Sequence, residues 1–343
     1  MTADGSQGHH GAMSNGRDLA ALPKAHLHLH LDGSMRRSTL MELGAAAGVT
    51  PVLPRGYGSF AAFTGTITAA ASCLRTPEDA RRLVDEIVED AALAGAVWVE
   101  PSMWPGLFDG RLGPDGDVLD IVLAAGREAG TRHGVGFGLV VAANRNRPPG
   151  EAVALAGLAV SRREDGVVGF GLDGDETTAP GPLFAEAFAV ARDGGLLALP
   201  HAGELTGAHA VRDALEVLGA DRVMHGVTAI GDRSLVALLA AREVALDVCP
   251  SSNVMLSVVP SLDAHPLPAL LAAGVPCSIN ADDPLLFDTD LLTEYQLARD
   301  RLHLSDVRLA ECARTSLVHS GAPRDLVDRA LTGIDAWLRR ADS

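Results

Sequence analysis

Apolar and polar positions along the chain follow two alternating periods. From Pro23 onward, short runs that alternate or are apolar throughout are separated by longer stretches with an apolar residue every third or fourth position. The first pattern predicts strands and the second amphipathic helices. Strands are expected at 25–31, 95–101, 135–142, 167–172, 196–200, 222–226, 244–248 and 275–280, with helices at 77–94, 117–133, 150–164, 181–194, 207–220, 232–242 and 262–273. Thr76-Pro77-Glu78-Asp79 has the chemistry of a helix start: a hydroxyl cap, proline in the first turn and acids at the positive dipole end. Gly95, Gly134, Gly194 and Gly274 follow helical runs and suit C-terminal caps.

Eight strands with helices between them predict an α/β fold, a (β/α)8 TIM barrel, with a doubly wound sheet as runner-up. Segment 34–76 is too long for one helix and predicts extra helices after strand one, Ser59-Phe60-Ala61-Ala62-Phe63 serving as a lid over the mouth. Residues 288–340 predict two or three further helices at the C-terminus. No linker divides 19–343, so one domain is expected, preceded at 1–18 by a polar Gly/Ser/His-rich stretch read as a disordered leader or expression remnant.

Composition narrows the chemistry. A net charge of −16 argues against nucleic acid as partner, because phosphates would be repelled. No apolar run approaches membrane-spanning length. Cys73, Cys249, Cys277 and Cys312 form no CxxC pair, so neither a zinc ribbon nor a disulfide framework is expected, and a cytoplasmic location is. Oligomeric state is left open.

The densest candidate chemistry is Ala25-His26-Leu27-His28-Leu29-His30-Leu31-Asp32-Gly33. Strict alternation places His26, His28 and His30 on one strand face. Such imidazoles can grip one metal ion or serve as hydrogen-bonded structural residues. In a barrel the C-terminal strand ends converge on one mouth. Those ends carry His28 and His30, Asp173-Gly174-Asp175-Glu176, His201-Ala202-Gly203-Glu204, His225-Gly226, Cys249-Pro250-Ser251-Ser252-Asn253 and Asn280-Ala281-Asp282-Asp283-Pro284. Their joint placement is the argument for a site. His26 is expected to be buried and hydrogen-bonded. Ser251, Ser252 and Asn253 are expected to brace their loop. Asp175 and Glu176 could bind substrate and Arg145 and Arg147 would suit an anionic substituent, but all four read first as solvated loop charges, and His265 as a surface or packing residue.

The motifs HLHLDG, GDE, HAGE, HG, CPSSN and ADDP, in this order from about Leu22 to the C-terminus, resemble the adenosine deaminase family of the amidohydrolase superfamily. The resemblance implies one Zn2+ per chain, bound by His28, His30, His201 and Asp282, a set zinc accepts while keeping one position open. It implies hydrolytic removal of a purine 6-amino group, converting adenosine or 2′-deoxyadenosine to the inosine form with release of ammonia. Glu204 would protonate the ring nitrogen beside the attacked carbon, His225 would orient or deprotonate water, and Asp283 would meet N7. Gly174 would offer a backbone N–H to N3, and His30 and Trp104 would face the substrate. Asp32 goes in this family with a nucleoside 5′-hydroxyl. The segment Val99–Pro105 and the loop 143–150 depart from adenosine-specific relatives, so adenine or a modified adenosine such as aminodeoxyfutalosine stands as the alternative. Trp104, Met103, Phe60 and Phe63 read equally as pocket wall or core. A silent purine-binding relative is the rival from another class, disfavoured by the intact Glu204, His225 and Asp283. Two-metal hydrolases carry a carboxylated lysine after strand four, where this chain has Asp173-Gly174.

Overall fold

The computed structural model describes residues 16–340 except 55, 58 and 109. Its strands are β1 (Lys24–His30), β2 (Ala96–Met103), β3 (Gly136–Phe137), β4 (Leu139–Asn144), β5 (Val167–Asp173), β6 (Leu197–Ala202), β7 (Arg222–His225), β8 (Ala245–Val248) and β9 (Cys277–Ile279). All neighbours are parallel, in the order β1-β2-β4-β5-β6-β7-β8-β9, with β3 pairing β2. The sheet nearly closes on itself as a (β/α)8 barrel. Each of the eight expected strands is present; the third is broken at Gly138, where any side chain would collide with Trp98 and Val168.

Helices α1 (Arg37–Ala47) and α2 (Phe60–Ala71) fill the long segment after β1, and α3 (Pro77–Leu93) begins as predicted. The Thr76 hydroxyl accepts from Asp79 N while Asp79 accepts from Thr76 N, satisfying two free amides of the first turn. Around the barrel follow α4 (Asp115–His133), α5 (Pro149–Val160), α6 (Ala185–Asp193), α7 (Ala208–Asp213), α8 (Arg233–Arg242), α9 (Pro250–Met255) and α10 (Leu267–Ala272). The chain finishes with α11 (Pro284–Phe287), α12 (Leu291–Asp300), α13 (Asp306–Val318) and α14 (Arg324–Arg339). The helix expected over 262–273 is interrupted: a 3₁₀ turn at Leu262–Ala264 precedes Pro266, and α10 starts after it. Gly194 is the C-cap of α6, as expected, and packs beneath Val160; the left-handed residue is the next one, Gly195, at φ 81°. Of the leader expected over 1–18, residues 1–15 lie outside the described residues. Arg17 and Asp18 contact the body: Arg17 pairs with Asp306, and the Asp18 carbonyl accepts from Trp337 Nε1.

Between barrel and helices packs one apolar core including Leu27, Val99, Leu139, Phe170, Leu246 and Ile279. Each large side chain so buried contributes on the order of 1.5–3 kcal/mol. Inside the barrel, Val140, Leu199 and Met224 form a small apolar plug. Beside it Arg222, fully buried, donates to Asp247 at 2.8 Å and Glu100 at 2.7 Å. Losing one member of a buried ion set costs on the order of 3–5 kcal/mol, so the three groups hold one another in place.

One departure from the sequence pattern matters for the site. Along β1, His26 pairs with Val99 but Leu29 with Pro101, so Leu27 and His28 together oppose Glu100. This is a β-bulge, and it reverses the strand's phase. His28 and His30 face inward, whereas His26 faces a cavity of about 470 Å³ outside the barrel, beside Ile87 and Ala91 of α3. His26 is buried and accepts from Ala281 N, as expected, but does not share the face of His28. The N–H groups of Leu27 and His28 both donate to Asn280 Oδ1, at 2.8 and 3.2 Å. An asparagine side chain thus takes the place of a strand carbonyl where the last strand meets the first.

Candidate active site

The C-terminal ends of the strands bring four donor atoms together. Asp282 Oδ1 lies 3.3 Å from both His28 Nε2 and His30 Nε2, and His30 Nε2 lies 3.2 Å from His201 Nε2. The far nitrogen of each ring has an oxygen nearby. His28 Nδ1 meets the Asp247 carbonyl at 3.0 Å, and Asp173 lies 3.1 Å from His201 Nδ1 and 3.6 Å from His30 Nδ1. Partners at Nδ1 leave the Nε2 lone pairs directed at a common point. His28 Nε2 is buried with no hydrogen-bond partner. Three of the six separations, at 3.2–3.3 Å, match the edge of a tetrahedron with bonds near 2.0 Å, and all four donor atoms lie within 4.8 Å of one another, so this quartet can hold a zinc-like ion. His28, His225, Cys249 and Asp282 also lie near one another. There, burial pushes the Cys249 thiol well above its usual range, helped by the Asp282 carboxylate.

Asp282 and His225 both adopt left-handed backbone, φ 60° and 65°. Such conformations are uncommon for side chains of this size and cluster at functional sites. The twist at the end of β7 turns His225 into the mouth, with Nε2 3.4 Å from Glu204 Oε1 and 3.8 Å from Asp282 Oδ2. Glu204 is buried on the loop after β6. Burial raises its pKa well above the usual range, and the Asp282 and Glu176 carboxylates add to the effect. A carboxyl in this state holds a proton near neutral pH and can give it away.

Asp283 is buried, and its side chain caps no helix amide. It rests against Gly33, where a Cβ would fall 1.7 Å from Asp283 Oδ1, so the glycine of the Asp-Gly pair is required by this approach. Asp32 is buried on the 3₁₀ turn Asp32–Ser34, with its pKa raised to about 6, chiefly by burial, and has no ion-pair partner among the described residues. Asp32, Asp283, Gly174, His30, Glu204 and Trp104 all line one cavity of about 100 Å³. Phe60, Phe63 and Ile67 of α2 roof it, so the expected lid lies over the mouth; Met103 belongs to the core instead.

Other groups play parts the sequence did not predict. Glu176, expected to be solvated, is buried and accepts from four backbone amides: Gly203 at 2.6 Å, Glu204 at 3.1 Å, Leu205 at 2.8 Å and Thr206 at 2.9 Å. Arg145 is also buried, donating to the carbonyls of His201 and Ala179 at 2.6 and 2.7 Å. Arg147 pairs with Glu151 on the surface, so neither arginine faces the cavity. Asn253 meets His225, and His265 meets Asn253, both in the interior. Asp173 was visible as a strand-end acid next to histidine-bearing strands. No local signal marks His265.

A parallel barrel carrying three imidazoles and an aspartate at its mouth, close enough together to hold a metal ion, defines an amidohydrolase-type architecture. The family model described as Adenosine deaminase matches residues 23–337. A Streptomyces coelicolor protein named "Putative adenosine/adenine deaminase" is 45% identical over 95% of this chain and 99% of its own length. The crystal structure of an adenine deaminase from Arthrobacter aurescens superposes with a TM-score of 0.87 at 27% identity, covering 93% of this chain and all of that one. An amidohydrolase from Burkholderia ambifaria with bound Zn gives 0.85 at 26% identity, over 93% and 92% of the two chains. The chain belongs to the adenosine deaminase family and is a deaminase of the hydrolase class acting on purines. No helix among the described residues is long and apolar enough to cross a membrane.

Proposed function

We propose that the protein hydrolyses the 6-amino group of an adenine nucleoside, adenosine or 2′-deoxyadenosine, with one zinc ion held by His28, His30, His201 and Asp282. Bound there, the ion would supply the Lewis acidity that makes water a nucleophile near neutral pH. Glu204 gives its proton to N1 of the purine, which makes C6 electrophilic, as oxygen adds to that carbon. The resulting carboxylate takes one proton from the added water and passes it to N6, then takes the second from the oxygen at C6, which restores the Glu204 acid. The C6–N6 bond breaks, ammonia leaves and C6 keeps a carbonyl. Asp283 meets the N7 edge, and the Gly174 N–H meets N3. His30 and Trp104 pack beside the ring, and His225 Nε2 faces the reacting oxygen.

The observation carrying the nucleoside reading is Asp32, a buried carboxylate at the cavity wall with no ion partner among the described residues. A site built to bond a 5′-hydroxyl rejects ligands that lack one. A second reading, free adenine, is favoured by the cavity itself: about 100 Å³ under α2 is well below the ~300 Å³ of a common ligand cleft. A panel of adenosine, 2′-deoxyadenosine, adenine and 5′-modified adenosines, aminodeoxyfutalosine among them, ranked by kcat/KM from loss of the near-ultraviolet adenine band, decides between them. Adenosine or 2′-deoxyadenosine should lead, chelator should abolish turnover, and Glu204→Gln should keep its metal but lose at least about 100-fold in kcat. A lead for adenine would move the assignment to the free base. No turnover of any compound would leave a purine binder.

A further inference from the structure

Behind His225 runs a line of three buried groups. The Leu267 backbone N–H donates to His265 Nδ1 at 3.2 Å, His265 Nε2 lies 3.2 Å from Asn253 Oδ1, and Asn253 Nδ2 lies 3.1 Å from His225 Nδ1. A backbone N–H can only donate, so His265 Nδ1 carries no hydrogen. Burial keeps His265 neutral, its pKa pushed down to about 4, and a neutral ring with a bare Nδ1 has its hydrogen on Nε2. That hydrogen needs an acceptor, so the Asn253 amide turns its oxygen to His265 and its NH2 to His225. The NH2 can only donate. His225 Nδ1 is therefore an acceptor, and a neutral His225 carries its hydrogen on Nε2, facing Glu204 and Asp282.

We propose that His265 and Asn253 are positioning residues that hold His225 as the Nε2–H tautomer, so that it enters the reaction as a hydrogen-bond donor to the oxygen at C6 and not as the base that takes the proton of water. That proton passes to the Glu204 carboxylate. A hydrogen on His225 Nδ1 would face the Asn253 NH2, and the amide cannot turn without setting that NH2 against His265 Nε2–H. The direction of the whole line is imposed from its far end by one peptide N–H in α10, outside the mouth.

The catalytic half of the inference rests on the deaminase reading; the tautomer does not. The zinc-loaded protein, labelled with 15N at histidine, is read by long-range 1H–15N correlation. His225 should show an acceptor-type Nδ1 and a hydrogen-bearing Nε2. Asn253→Asp replaces the NH2 by a second acceptor, so the two signals should exchange character. In that variant kcat should fall about 10–100-fold, as for other groups that orient a site residue, while KM stays within about threefold and the bound zinc is retained. A hydrogen on Nδ1 in the wild type overturns the proposal, as does an Asn253→Asp enzyme whose kcat stays within about twofold of wild type. Should that variant fail to fold, the wild-type spectrum alone decides the tautomer. If the wild type turns over no purine, the deaminase reading fails and the spectrum still judges the lock.

Discussion

Glu294 is fully buried on α12, where it accepts from Ser251 N at 3.2 Å and Thr289 Oγ1 at 2.6 Å. Burial raises its pKa from 4.5 to about 7. The folded state therefore binds this proton more tightly than the unfolded chain does. The contribution is fully present below pH 4.5 and is lost as pH rises through 7, a difference on the order of 3 kcal/mol. Urea unfolding at pH 5 and pH 8 should show wild type losing stability relative to Glu294→Gln over that interval; parallel pH dependence of the two would refute the assignment. Other single residues were legible in the sequence to different degrees. The quartet and Glu204 stand at strand ends, which barrel geometry gathers at one mouth. His265 lies 12 residues from Asn253 and 40 from His225, joined to them by folding alone. Glu176 and Arg145 look like ordinary loop charges because their partners are backbone groups from other parts of the chain, which no side-chain pattern can display.

At the scale of elements, the loop 203–206 depends on a carboxylate contributed from elsewhere. Its four amides converge on Glu176, and Gly203 permits this at φ 68°, with no room for a Cβ beside Val211. Converging amides form an anion nest, here filled by the protein itself. Glu176→Gln keeps the shape but points an NH2 at donors. It should lower kcat about 10–100-fold through displacement of Glu204 and speed amide exchange in the peptide spanning 201–206, with the zinc content unchanged. Unaltered exchange in that peptide would disprove the role. The β1 bulge shows the limit of pattern reading. Alternation over 25–31 correctly predicted a strand and the inward pair His28 and His30. It could not reveal an extra residue, because the letters alternate whether or not the pairing slips. The break before α10 was more accessible, since Pro266 disfavours helix in the residue before it.

Over the whole molecule, the eight strand segments were legible because each is bounded by turn residues and separated by helical periodicity. Closure into a barrel instead of an open sheet depends on strand order, which sequence leaves undetermined. The acidic groups are unevenly placed: Asp32, Asp173, Glu204, Asp282 and Asp283 line one cavity, with Glu176 close behind. Such crowding costs folding free energy unless a cation compensates. Zinc-loaded protein should therefore melt several degrees above chelated protein, the gap widening with free zinc as binding linkage requires, by about 4 kcal/mol at 1,000 times Kd. Identical melting with and without chelator would sink the metal reading.

The sheet order begins at β1 and ends at β9, and the two are fastened by few bonds: His30 N to the Asp282 carbonyl, Asp282 N to the His28 carbonyl, Leu27 N and His28 N to the Asn280 side-chain oxygen, and Ala281 N to His26 Nε2. The cylinder thus has a seam, and the proposed ligands flank it, His28 and His30 on one lip and Asp282 on the other. An ion held there would act as a rivet across that gap. Hydrolytic chemistry and the closing of the wall would then share one fastening, and any change that frees the ion would loosen the structure where the first and last staves meet.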